Sequence, residues 1–161
     1  MKTIINYNNT LCELNSAKIR LNLLMDRKEA LYCKYFPMNK PTNSEHVSGG
    51  HTIKDPMSQY VAELTKINES TGKSLDQEIN EQRNEVNKLE YVLRLMDNSV
   101  KELEGLEAEL YKHIIFDGMN ISKAISKTAE NNYVDDRTMW RIYHKNIKEY
   151  INKLKMSVKC Q

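Results

Sequence analysis

The chain has 161 residues, with 24 Lys and Arg against 22 Asp and Glu, 40% hydrophobic residues and a mean hydropathy of −0.68. That is enough for one domain, or a small domain with a helical extension, and its few glycines and prolines suit a helical protein with much solvated surface. Three widely spaced cysteines (Cys12, Cys33, Cys160) exclude a disulfide framework, and no run of about 18 apolar residues predicts a membrane span. The opening MKTIINYNNT lacks the apolar core of a signal peptide, so a reducing cytoplasm is the expected location.

The net charge of +2 hides an asymmetry. Residues 1–54 carry 8 basic and 4 acidic side chains, residues 55–110 carry 6 and 13, and residues 111–161 carry 10 and 5. The three parts therefore stand at +4, −7 and +5. A basic C-terminal third beside an acidic middle is the pattern of a chain whose one end meets a polyanion.

Residues 1–36 are expected to form an N-terminal helix, periodic from about Ile4. Leu11, Leu14, Ile19 (or Lys18), Met25 and Leu31 recur at helical spacing, and Leu21, Leu23 and Leu24 widen the stripe. Pro37 and Pro41 end it. Residues 37–55, rich in Pro, Asn, Ser and Gly, read as a flexible loop that lets two long helices pack as an antiparallel hairpin. Asp55-Pro56 then offers an N-cap with proline at the first helical position.

Residues 56–102 are expected to be one long helix. Leu75, Ile79, Gln82, Val86, Leu89, Leu93, Met96, Val100 and Leu103 alternate in steps of four and three. That coiled-coil-like seam can pack on the first helix or on a second chain, giving a homodimer. Gly72 marks one place where the helix can break, and Asp97-Asn98-Ser99 another, with Glu102 at a capping-box position.

Several motifs fail on context. Thr71-Gly72-Lys73-Ser74 imitates the end of a phosphate-binding loop, but Ile67 stands where that loop needs glycine, and no strand precedes it. Cys12, Cys33, His46, His51 and Cys160 contain no close pair of the kind zinc sites use, so no metal is expected. There is no GxSxG, no HExxH and no glycine-rich strand-to-helix turn. Neither catalysis nor a cofactor is predicted.

Residues 103–161 carry the functional expectation. An apolar helix (Leu103, Leu106, Leu110, Ile114) meets Asp117-Gly118, a short helix over Ile121–Ala129 follows, and a polar turn over Glu130–Asp136 leads to a longer helix opening at Arg137. Asp136 is read as its cap. Arg137, Arg141, Lys145 and Lys148 fall on one face; Trp140, Tyr143, Ile147, Tyr150 or Ile151, and Leu154 fall on another. A solvated amphipathic helix would show the same two faces. The order helix, turn, basic helix favours a helix-turn-helix, in which Arg137, Thr138 and Arg141 face bases. Lys123, Lys127, His144, Lys145 and Lys148 then face phosphates.

Leu110-Tyr111 ahead of Phe116-Asp117-Gly118, the helix Ile121–Ala129, and Arg137-Thr138-Met139-Trp140-Arg141-Ile142-Tyr143 together carry a resemblance. The stretch resembles the C-terminal half of phage late-gene transcription regulators of the ArpU/RinA-like kind, whose reader is similar to region 4 of a sigma factor. Upstream, the loop with Ser48-Gly49-Gly50 and the helix opening at Asp55-Pro56-Met57 are also similar. The turn Glu130–Asp136 is longer than the family's, and Asp135-Asp136 adds negative charge there.

The resemblance implies an all-α phage or prophage regulator of transcription that binds double-stranded DNA, a long helical hairpin or coiled coil followed by a C-terminal helix-turn-helix. The second expectation is a helical phage protein that binds a host protein, either as an inhibitor of a defence nuclease (an anti-CRISPR, for example) or as an RNA polymerase adaptor.

Overall fold

A computed structural model describes residues 6–37 and 55–159 of the chain. The fold is all-α. Helices α1 (Tyr7–Tyr35), α2 (Pro56–Thr65), α3 (Leu75–Glu102), α4 (Gly105–Ile115), α5 (Ile121–Asn132), α6 (Asp136–Ile142) and α7 (Lys148–Lys159) follow in order, with a π-helical turn over Tyr143–Ile147 joining the last two. No described helix is long and apolar enough to cross a membrane. The loop expected over 37–55 falls, apart from its first and last residues, outside the described residues, as do His46, His51 and Cys160. The chain divides into two compact units, Ala17–Asn84 in one and Met1–Ser16 with Glu85–Gln161 in the other.

In the first unit, Leu64, Leu75 and Ile79 form a core closed by Leu21, Leu24, Leu31 and Tyr60. Lys28 pairs with Asp76 (3.3 Å) and the Arg83 guanidinium meets Met25 Sδ (3.5 Å), so α1 and the start of α3 run antiparallel. The first turns of the α3 seam are thus covered from within the chain. The stripe on α1 differs from the expected one. Ile19 is 61% exposed and Leu23 63%, while Leu14 and Ala17 are buried and Leu21, Leu24, Lys28, Leu31 and Tyr35 half-buried, in steps of three and four. A small residue and a lysine sit in this seam, so counting large apolar residues picks the wrong line.

The expected helix over 56–102 is broken. Asp55 does cap α2, accepting from the backbone N–H of Met57 (3.3 Å) and Ser58 (3.2 Å). The chain then leaves the helix after Thr65 and turns back through residues 66–74, where Ile67 bridges Ser74 and Gly72 takes φ +67°. A capping box restarts it: Ser74 N–H donates to Gln77 Oε1 (3.0 Å) and Gln77 N–H to Ser74 Oγ (3.3 Å). The apparent phosphate-loop motif is this turn and cap, and its Lys73 pairs with Glu81. Lys34 binds Glu63 (2.8 Å), with Tyr35 on the same carboxylate oxygen. That contact holds Lys34 above its ordinary pKa and Glu63 below its own.

In the second unit, α3 runs unbroken through Asp97-Asn98-Ser99, and the Ser99 hydroxyl, instead of capping a new helix, donates to Leu95 O (2.8 Å) of the same one. The break comes later, at Leu103 and Glu104. α4 buries Leu110, Tyr111, Ile114 and Ile115 and packs on α5 and on the π turn. Tyr111 is fully buried and stands edge-on to Tyr150 (centroids 6.4 Å, 75°). Its hydroxyl makes no hydrogen bond of good geometry among the described residues, and Ser99 Oγ, which donates to Leu95 O, is its nearest acceptor.

Burial pushes the Tyr111 phenol up to about 12. The unfolded phenol ionises near its ordinary 10.0, so stability is independent of this group's ionisation below pH 10 and falls as pH rises from 10 towards 12. Tyr111→Phe removes an unsatisfied hydroxyl. It should raise stability by about 1 kcal/mol at neutral pH and remove about 2 kcal/mol of the alkaline loss, read from urea denaturation at pH 7 and between pH 10 and 12. A destabilised variant with the same alkaline slope would contradict this.

The start of α1 belongs to this unit and is fastened to the turn after α4. Tyr7 stacks on Phe116 (4.5 Å, 17°), and Asn8 Nδ2 donates to Phe116 O (3.3 Å). Gly118 has φ +67°, and a Cβ there would lie 1.9 Å from Asn6 Nδ2. The Asn6 side chain cannot move without cost, since its Oδ1 accepts from Asn8 N–H (2.8 Å) at the head of α1. Gly118→Ala should therefore cost about 1–2 kcal/mol, from left-handed strain together with the lost cap. An unchanged melting temperature would show that the cap is dispensable.

Candidate nucleic-acid interface

The interface begins with α5. Asn120 caps it, accepting from Lys123 N–H (2.8 Å). Its inner face is Ala124, Ile125, Thr128 and Ala129, and the Thr128 hydroxyl is satisfied by Ala124 O (2.8 Å). Lys123 and Lys127, four residues apart, are exposed on the outer face.

The turn after α5 is shorter than expected. Asn131 and Asn132, which look like turn residues, stay helical because Glu109 of α4 accepts from both side-chain amides (2.9 and 2.8 Å). These bonds hold the Glu109 carboxyl below its ordinary pKa. Only Tyr133, Val134 and Asp135 lie between the helices. Val134 N–H closes on Ala129 O (3.0 Å), which requires Tyr133 to be left-handed (φ 54°). Tyr133 is 99% exposed.

The next helix starts at Asp136, one residue before the expected Arg137. Its cap is Asp135, whose side chain makes no capping bond. Asp136, expected as the cap, lies in the first turn and accepts from Ser126 Oγ (3.1 Å), which ties α6 to α5.

From Asp136 to Lys159 the chain is helical without a gap. Its inner stripe is Met139, Tyr143, Ile147, Ile151 and Leu154, all buried. Three successive steps of four residues would carry an α-helical stripe about 120° around the axis. The π turn absorbs part of that drift, with Lys148 N–H reaching back to Tyr143 O. Asn146 in this turn donates to Glu107 of α4, fixing the bulge in place.

The expected core stripe is thereby corrected at one position. Met139 is fully buried, and Trp140 is 38% exposed. Trp140 stands edge-on to Tyr143 (5.9 Å, 89°) and stacks on His144 (5.7 Å, 26°). It is a surface residue that sequence reasoning missed, and so is Tyr133.

Arg137, Thr138, Arg141, His144, Lys145 and Lys148 are all exposed. Arg137, Arg141, Lys145 and Lys148 lie in steps of four, four and three along the side away from Met139 and Tyr143, with His144 next to Lys145. Thr138 sits about 100° round from Arg137, at the edge of that ridge. Lys123 and Lys127 stand on α5 and form a second, separate cationic strip. Among the described residues, none of these six lysines and arginines has a carboxylate partner. Lys28, Lys34, Lys73 and Lys153 are paired, while other exposed cations such as Arg94 and Lys101 are, like the ridge, in no ion pair with a described residue.

His113 illustrates a structural use of charge in the same unit. Its Nδ1 lies 2.6 Å from Asp117 Oδ2, and its Nε2 lies 3.6 Å from Glu109 Oε1, within ion-pair reach but outside hydrogen-bond geometry. No group of three His, Cys, Asp or Glu side chains among the described residues is placed to hold a metal ion.

Compared with protein-family profiles, curated proteins and solved structures, the chain matches none of them.

Proposed function

We propose that this chain is a transcriptional regulator, of phage or prophage type, that binds double-stranded DNA through a helix-turn-helix made of α5, the Tyr133–Asp135 turn and the helix from Asp136. The observation that carries the reading is the unpaired cationic ridge Arg137, Arg141, Lys145 and Lys148 on a helix whose opposite side is buried. Uncompensated cations repel one another, and a polyanion removes that cost. In this reading Arg137 and Arg141 meet base edges, with Thr138 at the border. Lys123, Lys127, His144, Lys145 and Lys148 meet phosphates. A gel-shift titration of the Arg137→Ala/Arg141→Ala variant tests the assignment, with circular dichroism to establish that helicity is intact. Undiminished duplex affinity would overturn it.

A second reading, binding of a host protein such as RNA polymerase or a defence nuclease, is favoured by the turn itself. Tyr133 is a fully exposed aromatic in a left-handed conformation, and Glu130 and Asp135 beside it have no charged partner among the described residues. The two readings separate on salt. Duplex affinity resting on the ridge falls steeply as ionic strength rises, and a protein that only docks on proteins shows no duplex binding at low salt.

A further inference from the structure

We propose that Trp140 is a specificity-determining residue that contacts the 5-methyl group of a thymine in the DNA major groove; this rests on the reading of α6 as a duplex-DNA reader. Trp140 borders the cationic ridge with a large apolar surface, 38% exposed, about 60° round the helix from Arg137 and about 100° from Arg141. It is held rather than loose, since Tyr143 stands edge-on to the ring and His144 stacks on it. Tyr143 is itself buried, so the indole is braced from the core.

A polyanion alone gives this ridge no reason to present a fixed apolar edge. Of the groups displayed in the major groove, the thymine methyl is the apolar one. An unstacked base is the other nucleic-acid partner for an aromatic ring, but it needs an open ring face. Here His144 stacks on one face of the indole (5.7 Å, 26°) and Tyr143 stands edge-on to it (5.9 Å, 89°), so the ring already has aromatic partners. Helical rise places Trp140 about 4.5 Å beyond Arg137 and about 1.5 Å before Arg141. Base pairs are stacked about 3.4 Å apart, so the thymine lies within about two base pairs of a guanine held by one of the arginines.

The test uses the full chain. A duplex enriched from a random library is re-made with each thymine in turn replaced by uracil, which deletes only the methyl group, and affinities are read by fluorescence anisotropy. One position near a guanine should weaken about fourfold in the wild type, the effect of one buried methyl. Trp140→Ala should bind the thymine and uracil forms of that position equally, and Trp140→Phe should keep a smaller difference. Tight duplex binding that is indifferent to uracil everywhere overturns the proposal and leaves the DNA-binding reading intact. So does Trp140→Ala with full uracil discrimination. Should Trp140→Ala lose its helicity, the wild-type uracil scan and Trp140→Phe decide. A wild type that binds no duplex, or prefers single strands, overturns both readings.

Discussion

The Arg137→Ala/Arg141→Ala variant should bind its selected duplex about a hundredfold more weakly than the wild type, with an unchanged circular dichroism spectrum. The size follows from the contacts: an arginine that grips guanine through two hydrogen bonds contributes about tenfold or more, and there are two of them. The fold should not notice, because both side chains are exposed and neither is in an ion pair with a described residue. Lys145→Ala and Lys148→Ala should behave differently. In the proposed role each is a phosphate contact, so affinity should fall by a similar factor for every sequence and the salt dependence should become shallower by about one ion. If the arginine variant lost affinity equally for all sequences, the arginines would be phosphate contacts too.

Met139→Ala should destabilise the second unit by about 2–5 kcal/mol in chemical denaturation, the range for truncating a fully buried large side chain. Met139 has no exposed surface and lies in line with Tyr143, Ile147 and Ile151. The value also tests the π turn, since the stripe stays in line only where the helix is locally widened. A cost below about 1 kcal/mol would return Trp140 to the core and Met139 to the surface. DNA affinity measured well below the unfolding transition should be unaffected, since Met139 faces away from the ridge.

Much of the architecture was legible because helical periodicity is a local property. The stripe from Leu75 to Leu103, the cap at Asp55-Pro56 and the helix ending before Asp117-Gly118 were all readable from residue types and spacing. What failed depended on partners far along the chain. Asn131 and Asn132 are turn formers by type and helical in fact, because Glu109, more than twenty residues away, takes their amides. The turn after them then has to close on Tyr133, a residue whose left-handed conformation no propensity suggests.

The break after Thr65 had a readable signal in Ser74-x-x-Gln77, a capping box overshadowed by the apolar register around it. In the candidate site, the cationic positions were legible from spacing alone. The exchange of Met139 and Trp140 was not, because spacing arguments assume 3.6 residues per turn and the π turn does not obey that. It is this exchange that moves an aromatic side chain from the presumed core to the border of the basic ridge.

In the proposed role the ridge on α6 and α7, with the lysines of α5, meets the DNA backbone. The most direct measurement is the affinity of the full chain for a labelled duplex between 50 and 200 mM salt. Lys123, Lys127, Lys145 and Lys148 acting together predict that log affinity falls against log salt with a slope of about −4, since each neutralised phosphate contributes about −0.9. A slope near zero, or no binding at the lowest salt, would contradict it.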